Sequence, residues 1–240
     1  MESRPAEPPE PRPIPPLEPR QRWRLTCRRA ADAPALSQRE LAEAWDQAVA
    51  ASGLPVVVGD PAKPKARVVF GAPLTVGMAS EGELLEIVLT ERLPAWQVRE
   101  ALEPGIPAGW TLVDLADVWL GGPALAGRVA AADYRIVLDG PADDETVERA
   151  ARALLAARTL PRERAKGDTT VRYDLRPLLA DIQVVDPGPP VTIRARTRFH
   201  AELGTGRPEA VVAALADESG AALAIATIVR ERLLLADEVA

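Results

Sequence analysis

Polar and apolar residues alternate near position 22, and a helical spacing follows. Trp23, Leu25 and Cys27 alternate with arginine and threonine, and this period of two predicts a β-strand. Ser37 is followed three residues later by Glu40, a capping box that predicts a helix start. Apolar side chains then recur every three or four positions, at Leu41, Ala44, Trp45, Ala48 and Val49.

The other elements of the first half are shorter. The pattern predicts a short apolar piece at 56–58, a loop at 60–65, paired strands at 67–71 and 83–90, a helix at 94–102 and a strand at 110–120. Gly121, Gly122 and Pro123 then break the last strand. The first half therefore has the predicted order β-α-β-β-α-β.

The second half repeats this order without a close repeat of residues. It has predicted strands at 134–138, 191–199 and 222–235, and one or two more within 169–185, where Pro177 interrupts them. Asp143 or Asp144 caps one predicted helix, and a second starts near Pro208. Two such units favour an α+β fold of two tandem ferredoxin-like halves, residues 21–122 and 123–240. We expect two antiparallel sheets, each with two helices on one face.

Residues 1–20 form a Pro-rich stretch with mixed charges and few apolar side chains. Such a composition buries too little apolar surface to offset the entropy of ordering. We therefore predict a disordered or polyproline II tail, which serves as a ligand for an aromatic groove or as a spacer. The composition favours the spacer.

The composition narrows the classes of function. Of the 240 residues, 47% are hydrophobic and only 4% aromatic, so the core must consist mostly of Leu, Val and Ala. The net charge of −6 disfavours a protein that coats DNA with its whole surface, although local basic stripes remain compatible with it. No stretch approaches the roughly 18 apolar residues of a membrane span, and we expect a cytoplasmic protein.

Reactive side chains are few. With one cysteine and one histidine, the chain cannot form an internal disulfide, a structural zinc site or a cysteine-bound iron–sulfur cluster. An all-carboxylate Mg²⁺ or Ca²⁺ site is not excluded by this count. We predict no cofactor and no metal, and no residue is identified as catalytic. Cys27 is expected as an inert buried thiol and His200 as a packed or exposed side chain.

Rows of arginine are the sharpest local feature. Three arginines share one face of the strand at 191–199 and three share one face of the first strand: Arg194, Arg196 and Arg198, and Arg22, Arg24 and Arg28. In a ferredoxin-like fold the first and third strands are central, so both rows would stand on faces without helices. Guanidinium groups suit phosphate, which favours RNA or another polyanion. The alternative is a solvated face paired with carboxylates.

Two shorter motifs are also candidates for ligand binding. The loop Gly204-Thr205-Gly206-Arg207-Pro208 precedes a helix, where backbone N–H groups and Arg207 suit a phosphate, although helix entry alone explains its Gly and Pro. Asp174 and Arg176 lie two apart on one strand face. They suit an ion pair that orients Arg176 toward a ligand, or one that merely ties down a strand end.

The remaining ionisable and aromatic residues give no clear site. The carboxylate pairs Glu83/Glu86 and Asp143/Asp144 lack an evident partner in the sequence, so solvated faces are expected. Tyr134 and Phe199 fall on the faces predicted to be core. Base stacking on the open sheet, as in RRM proteins, is therefore not expected.

Three segments carry a resemblance to a known family. Residues 68–89 (VVFGAPLTVGMASEGELLEIVL) contain the pattern P-L-x-x-G-x-x-S-x-x-E after an apolar run. Residues 173–177 (YDLRP) and 204–215 (GTGRPEAVVAAL), with a closing strand that ends LLL at 233–235, complete the set. Together, over roughly residues 22–235, they resemble the radical SAM-linked proteins, a bacterial family of unknown function.

The resemblance implies a context more than a reaction. Members of that family occur beside, or fused to, a cobalamin-binding radical SAM protein, often near a ribonuclease E/G-type gene. This chain has Ser37-Gln38-Arg39-Glu40 where the family has Ser-His-x-Asp, and residues 59–64 (GDPAKP) replace a Gly-Phe-x-Pro-His-Pro-like loop. Both family histidines are missing, so the resemblance is to a diverged member.

Three hypotheses of function follow. The first is a non-catalytic accessory or adaptor that works with a radical SAM enzyme and binds RNA through the arginine rows. The second is an RNA-processing or RNA-modifying enzyme with a site between the two halves. The third is a protein-interaction module that uses the Pro-rich tail and has no nucleic-acid ligand. Candidate partners are thus a radical SAM protein and RNA, without a membrane, and the sequence predicts no oligomeric state.

Overall fold

A computed structural model describes residues 18–60, 63–66, 68–167 and 169–239. Nearly all of the predicted Pro-rich tail therefore lies outside the described residues. Within them, no helix is long and apolar enough to cross a membrane.

The elements of the first half follow the predicted order, with one additional hairpin. They are strand β1 (Gln21–Arg29), helix α1 (Gln38–Ala51), strands β2 (Val58–Asp60), β3 (Lys63–Ala66), β4 (Val69–Phe70) and β5 (Ala79–Leu89), helix α2 (Ala95–Leu102) and strand β6 (Trp110–Val118). The loop predicted at 60–65 is wrong, because β2 and β3 form a hairpin there.

The second half contains one hairpin that the sequence pattern missed. Its elements are β7 (Val129–Asp139), α3 (Asp144–Ala156), β8 (Pro161–Lys166), β9 (Thr169–Asp174), β10 (Leu179–Asp186), β11 (Thr192–His200), β12 (Gly204–Thr205), α4 (Pro208–Ser219), β13 (Ala224–Leu235) and α5 (Ala236–Val239). Strand β8 pairs with β9 and is polar, so it has no apolar alternation that would reveal it.

One continuous sheet runs through both halves. Its longer strands lie in the order β10-β11-β7-β13-β5-β1-β6, with β12 beside β11 and β4 beside β5. Neighbouring strands are antiparallel except for β13 and β5, which run parallel. The predicted α+β class is confirmed, whereas the expectation of two separate sheets is wrong.

The two halves join because one strand is short. Strand β4 pairs with β5 at only two positions, opposite Glu86 and Leu85, and leaves the start of β5 without a partner on that side. Strand β13 fills this place, where Val229 and Arg230 pair with Ala79 and Ser80. An edge with unpaired backbone groups is a template for another strand, so the join satisfies hydrogen bonds that a separate first sheet would leave open.

Strand order is the same within each half. Without the β2–β3 and β8–β9 hairpins and the short β12, each half contributes four strands to the sheet. Their order is second, third, first, fourth in both halves, as β4-β5-β1-β6 and as β10-β11-β7-β13. The first and third strands are neighbours in both cases, as expected. This order leaves the fourth strand of the second half, β13, free on one side to meet β5.

The helices cover one side of the sheet, and two apolar clusters lie beneath them. In the first half, Trp23, Leu25 and Cys27 face the helices, and Trp45 of α1 meets Trp110 edge to face at 5.8 Å. In the second half, strands β7 and β11 pack against α3 and α4 in a cluster of Leu, Val, Ile and Ala. The predicted capping box is confirmed, since Ser37 and Glu40 each accept the other's backbone N–H.

Candidate functional site

A buried ion pair lies at the seam, defined here as the contact between β5 and β13. Arg230 is 2% exposed and Glu83 4%. Arg230 donates Nε to Glu83 Oε1 at 2.7 Å, Nη2 to Glu83 Oε2, and Nη1 to the Pro73 carbonyl at 2.8 Å. The Ser80 hydroxyl lies 2.5 Å from Glu83 Oε1 and 2.9 Å from the Arg230 carbonyl. The two halves are therefore bound by one charged network.

This network corrects the expectation for Glu83 and Glu86, which were predicted to be solvated. Both are buried, and Glu86 accepts two hydrogen bonds from Arg24 on the neighbouring strand. The partner of Glu83 lies 147 positions away in the sequence, so no local pattern reveals it. A usable signal was present, because Glu83 and Glu86 flank and interrupt the apolar run at 84–89, and buried charges are nearly always paired.

Tyr134 lies beside the ion pair on β7, opposite Arg230. Burial raises the pKa of Tyr134, although the neighbouring Arg230 guanidinium acts to lower it. The phenol therefore stays neutral and keeps its own hydrogen to donate. Burial, and then Glu83, raise the pKa of Cys27 to about 12, so the expectation of an inert buried thiol is confirmed.

A cavity of about 640 Å³ opens next to the seam, on the side of the sheet that carries the helices. Tyr134 and Arg230 lie at its inner end. The start of α4, the loop at 73–75 and the β8–β9 hairpin surround it. On the hairpin, the Arg164 guanidinium lies over the Tyr173 ring at 5.4 Å from its centroid. This is a cation–π contact, which fixes both side chains at the wall.

The three segments that carry the family resemblance meet at this cavity. Pro73 comes from the first segment, Tyr173 from the second, and Gly206, Arg207 and Pro208 from the third, and all of them line it. Ser80 and Glu83, also from the first segment, bind Arg230 behind it. Segments that are far apart in sequence thus converge on one concave surface, which sequence reasoning did not foresee.

The Gly204–Pro208 loop has a conformation that requires its glycines. Gly204 has φ of +91°, a region that favours glycine. A Cβ on Gly206 would stand 2.5 Å from the Leu178 carbonyl oxygen. Helix entry and close packing therefore explain the glycines. Arg207 is exposed at the cavity mouth, and its guanidinium has no hydrogen bond or ion pair within the described residues.

The ion pair expected between Asp174 and Arg176 is not formed. Asp174 accepts the backbone N–H groups of Leu160 and Arg176 at 2.7 and 2.9 Å. The Arg176 guanidinium instead donates to the carbonyls of Leu155, Ala157 and Leu179 at 2.7–3.2 Å. Two of these carbonyls lie at the end of α3, where they have no partner within the helix. Arg176 is therefore a structural side chain that ties α3 to β10.

On the side of the sheet without helices, two carboxylates each hold two arginines. Asp133, 1% exposed, accepts from Arg196 Nε at 2.7 Å and from Arg232 Nε at 2.9 Å. Glu231 accepts from Arg194 Nε at 2.6 Å and from Arg135 Nη1 at 2.9 Å. We call the four guanidinium groups the arginine face: Arg135, Arg194, Arg196 and Arg232. Glu81 binds Arg135 at its edge.

The charges of the arginine face are fixed. Burial tends to raise the pKa of Asp133, but hydrogen bonds from Arg196 and Arg232 outweigh it and hold the pKa below its usual value. A hydrogen bond to Glu231 raises the pKa of Arg194, and one to Asp133 raises that of Arg196. All of these groups stay ionised at neutral pH, so the surface holds charge and does not exchange protons.

The other predicted arginines differ in how accessible they are. Arg22 and Arg24 share Glu86, with side chains only 16% and 14% exposed, so the row on β1 is largely covered. Arg22 also donates to the Gly122 carbonyl at 2.9 Å. Arg28 is exposed. Arg198 donates to the carbonyls of Pro177 and Leu179. The two rows are therefore not equivalent, because Arg194 and Arg196 are 44% and 32% exposed, whereas Arg28 alone is exposed in the row on β1.

Metal ligands are not grouped in the part of the chain that the structure describes. No set of three or more His, Cys, Asp or Glu side chains there is placed to hold an ion. His200 accepts the backbone N–H groups of Glu202 and Leu203 through Nδ1 and is exposed at the end of β11.

Comparison with known proteins identifies the family. Residues 22–212 match the model of a family described as "Uncharacterized protein conserved in bacteria (DUF2344)". The match spans most of the chain, and the chain belongs to this family. The expectation of a bacterial family of unknown function is confirmed, and its link to radical SAM proteins stays a prediction. No curated protein matches.

Two solved structures resemble the fold. A chain in "Crystal Structure of a Cbf5-Nop10-Gar1 Complex" has a TM-score of 0.50 and 7% identity, over 87% of this chain and 48% of that one. A chain of the archaeal box H/ACA sRNP Nop10-Cbf5 complex has a TM-score of 0.44 and 10% identity, over 85% and 46%. This chain spans about half the length of those it matches. At 7% identity, the likeness to the first of these chains shows the fold alone.

The seam predicts a large effect of removing one charge. Arg230→Met leaves the Glu83 carboxylate buried without its partner, which typically costs about 3–5 kcal/mol of unfolding free energy. We expect this loss in urea denaturation at pH 7. The double variant Glu83→Leu/Arg230→Met should lose less than Arg230→Met alone. As a control, Arg152→Met breaks an exposed helical pair with Glu148 and should change stability by less than about 1 kcal/mol. Equal losses in all three variants would contradict the importance of the seam.

Proposed function

We propose that this protein binds RNA through the arginine face and does so without catalysing a reaction there. The observation that carries the proposal is the sharing of two carboxylates by four arginines: Asp133 and Glu231 each hold two guanidinium groups side by side. With Glu81 also bound to Arg135, four guanidinium groups meet three carboxylates, and one positive charge remains in excess. Positive charge is thereby concentrated locally on a chain whose net charge is −6.

The shared carboxylates also arrange the arginines before any ligand arrives. Side chains two apart on a strand are about 6.8 Å apart and neighbouring strands about 4.8 Å, so the four groups form one compact patch. Arg194 and Arg196 each direct two N–H groups to a carboxylate and retain others for phosphate. Held guanidinium groups lose less conformational entropy on binding, which favours affinity.

The geometry favours holding RNA over transforming it. Asp133 is kept ionised by two arginines, and the pKa values of Arg194 and Arg196 are raised by their partners. Groups of this kind are poor proton donors and acceptors near neutral pH. They suit electrostatic contact with a sugar–phosphate backbone, which is largely independent of base sequence.

The resemblance to the radical SAM-linked proteins motivates a partner for this role. We propose that the chain is an accessory that brings RNA to a separate radical SAM enzyme. Purification of the tagged chain from its own cells tests the partnership. Stoichiometric recovery of a radical SAM protein supports it, and recovery of the chain without such a protein counts against it.

We further interpret residues 21–122 and 123–240 as two ferredoxin-like halves that share one sheet. The equal strand order in the two halves supports this interpretation, together with a helix after the first strand and another after the third in each. Under it, β2–β3 and β8–β9 are insertions at equivalent places. An experimental structure with a different strand order in either half would overturn it.

RNA binding is tested by electrophoretic mobility shift with total tRNA and rRNA at low salt. Binding should weaken steeply as salt rises, because phosphate contacts release counterions. Arg194→Ala/Arg196→Ala should weaken binding about tenfold or more and lower the salt slope by about 1–2. Each shared carboxylate retains its second arginine in this variant, so the fold should persist.

The matched control is Arg149→Ala/Arg152→Ala. It removes two exposed arginines from α3, on the side of the sheet away from the arginine face, and should leave binding unchanged. Proposed binding at the arginine face is refuted if both double variants bind equally, or if no salt-sensitive shift occurs.

A further inference from the structure

The cavity at the seam is separate from the arginine face. Tyr134 and Arg230 reach it from the side of the sheet that carries the helices, whereas the neighbouring residues Asp133 and Glu231 face the opposite side. Side chains alternate between the two faces of a strand, so one ligand cannot contact both places. A ligand of the cavity is therefore distinct from RNA bound at the arginine face.

The charges around the cavity leave a positive excess at its mouth. The buried charge of Arg230 is neutralised by Glu83, and Glu163 is bound by Arg172 at 2.7 Å. These pairs leave Arg164, Arg207 and Glu209 among the charged lining residues. Two guanidinium groups thus face one exposed carboxylate, which favours an anionic ligand.

The two guanidinium groups approach the same loop. Arg207 is the residue just before α4, and within the described chain its side chain has no partner. Arg164 Nη2 lies 3.7 Å from the place where a Cβ on Gly204 would stand. The Arg164 side chain therefore packs against the loop that carries Arg207. The absence of a side chain at Gly204 keeps this space open. A group with several acceptor oxygens would satisfy both arginines.

Aromatic side chains and one hydroxyl complete the lining. Tyr173 and Phe199 are half-buried at the wall. At the inner end, Tyr134 lies opposite Arg230, and its neutral phenol has a hydrogen to donate to an acceptor. A volume of about 640 Å³ is within the usual range for small-molecule sites, roughly 300–1,000 Å³. The lining thus suits a ligand with a ring and an acceptor at one end and a phosphate at the other.

We propose that this cavity binds a nucleotide, with its phosphate at Arg164 and Arg207 and its base against Tyr173 and Phe199. The Tyr134 hydroxyl donates to an acceptor on the ring. The same chemistry is offered by a free nucleoside monophosphate and by the phosphorylated 5′ end of an RNA chain. The proposal concerns binding alone and does not rest on the arginine face.

Isothermal titration calorimetry with AMP, GMP, CMP and UMP tests this proposal directly. At least one nucleotide should bind about tenfold or more tightly than its own nucleoside and than inorganic phosphate. Arg207→Ala should weaken that nucleotide about tenfold or more, since it removes a charged contact. Arg207 has no partner within the described residues, so its replacement should not disturb the fold. Phe199→Leu, which leaves the contact between Arg164 and Tyr173 intact, should weaken nucleotides while leaving the weak binding of phosphate unchanged.

The control and the arms of the experiment separate the alternatives. Arg149→Ala, on α3, and Arg194→Ala/Arg196→Ala should both leave nucleotide binding unchanged, and the second of these shows that the cavity is independent of the arginine face. In the Arg194→Ala/Arg196→Ala background, where the arginine face is disabled, tighter binding of a 5′-phosphorylated RNA tetramer than of its 5′-hydroxyl form, lost on adding Arg207→Ala, identifies an RNA end as the source. The proposal is overturned if no nucleotide binds, if phosphate alone binds as tightly, or if Arg207→Ala has no effect.

Discussion

The ion pair between Arg230 and Glu83 is the contact on which the arrangement of the halves depends. It joins the strand that closes the second half to the third strand of the first half. Taking two charges out of water is costly, and here the loss is offset by further contacts of the Pro73 carbonyl with Arg230 and of the Ser80 hydroxyl with Glu83. The backbones of β5 and β13 also approach closely at Gly82, where a Cβ would stand 2.8 Å from the Glu231 carbonyl oxygen. The seam is thus specified by charge and by shape together.

Strand β13 also contributes side chains to both sides of the sheet. Three consecutive residues of β13 divide between the two sides, since Arg230 reaches the cavity while Glu231 and Arg232 join the arginine face. The strand is irregular between Arg230 and Arg232 relative to β7, which places two neighbouring residues on the same side. The cavity and the arginine face are therefore separate surfaces that share one structural element.

Local physics made part of this structure predictable from sequence. Alternation identified β1 and β11, and the capping box placed the start of α1 to the residue. The positions of arginine on β11 were also read correctly, because a period of two fixes the face of a strand. The alternative of carboxylate pairing proved essential, since Asp133 and Glu231 organise the whole arginine face.

The remaining features depend on contacts between distant residues. Glu83 meets Arg230 across 147 positions, and the parallel pairing of β5 with β13 arises only because β4 is too short to fill that edge. The sequence predicts an ion pair of Arg176 with Asp174, yet Arg176 is held by carbonyls at the end of α3 that no sequence pattern reveals. Convergence of three motifs at the cavity required the folded chain, because neither strand order nor the seam follows from local periodicity.

RNA binding at the arginine face can be tested by NMR of the arginine Nε–H groups during titration with 5′-hydroxyl RNA, since the signals report which guanidinium groups contact the RNA. If RNA binds there, we expect shifts at Arg135, Arg194, Arg196 and Arg232, and unchanged signals at Arg149 and Arg152 on α3. Shifts confined to the arginines of the helices, or spread evenly over both sides of the sheet, would contradict RNA binding at the arginine face.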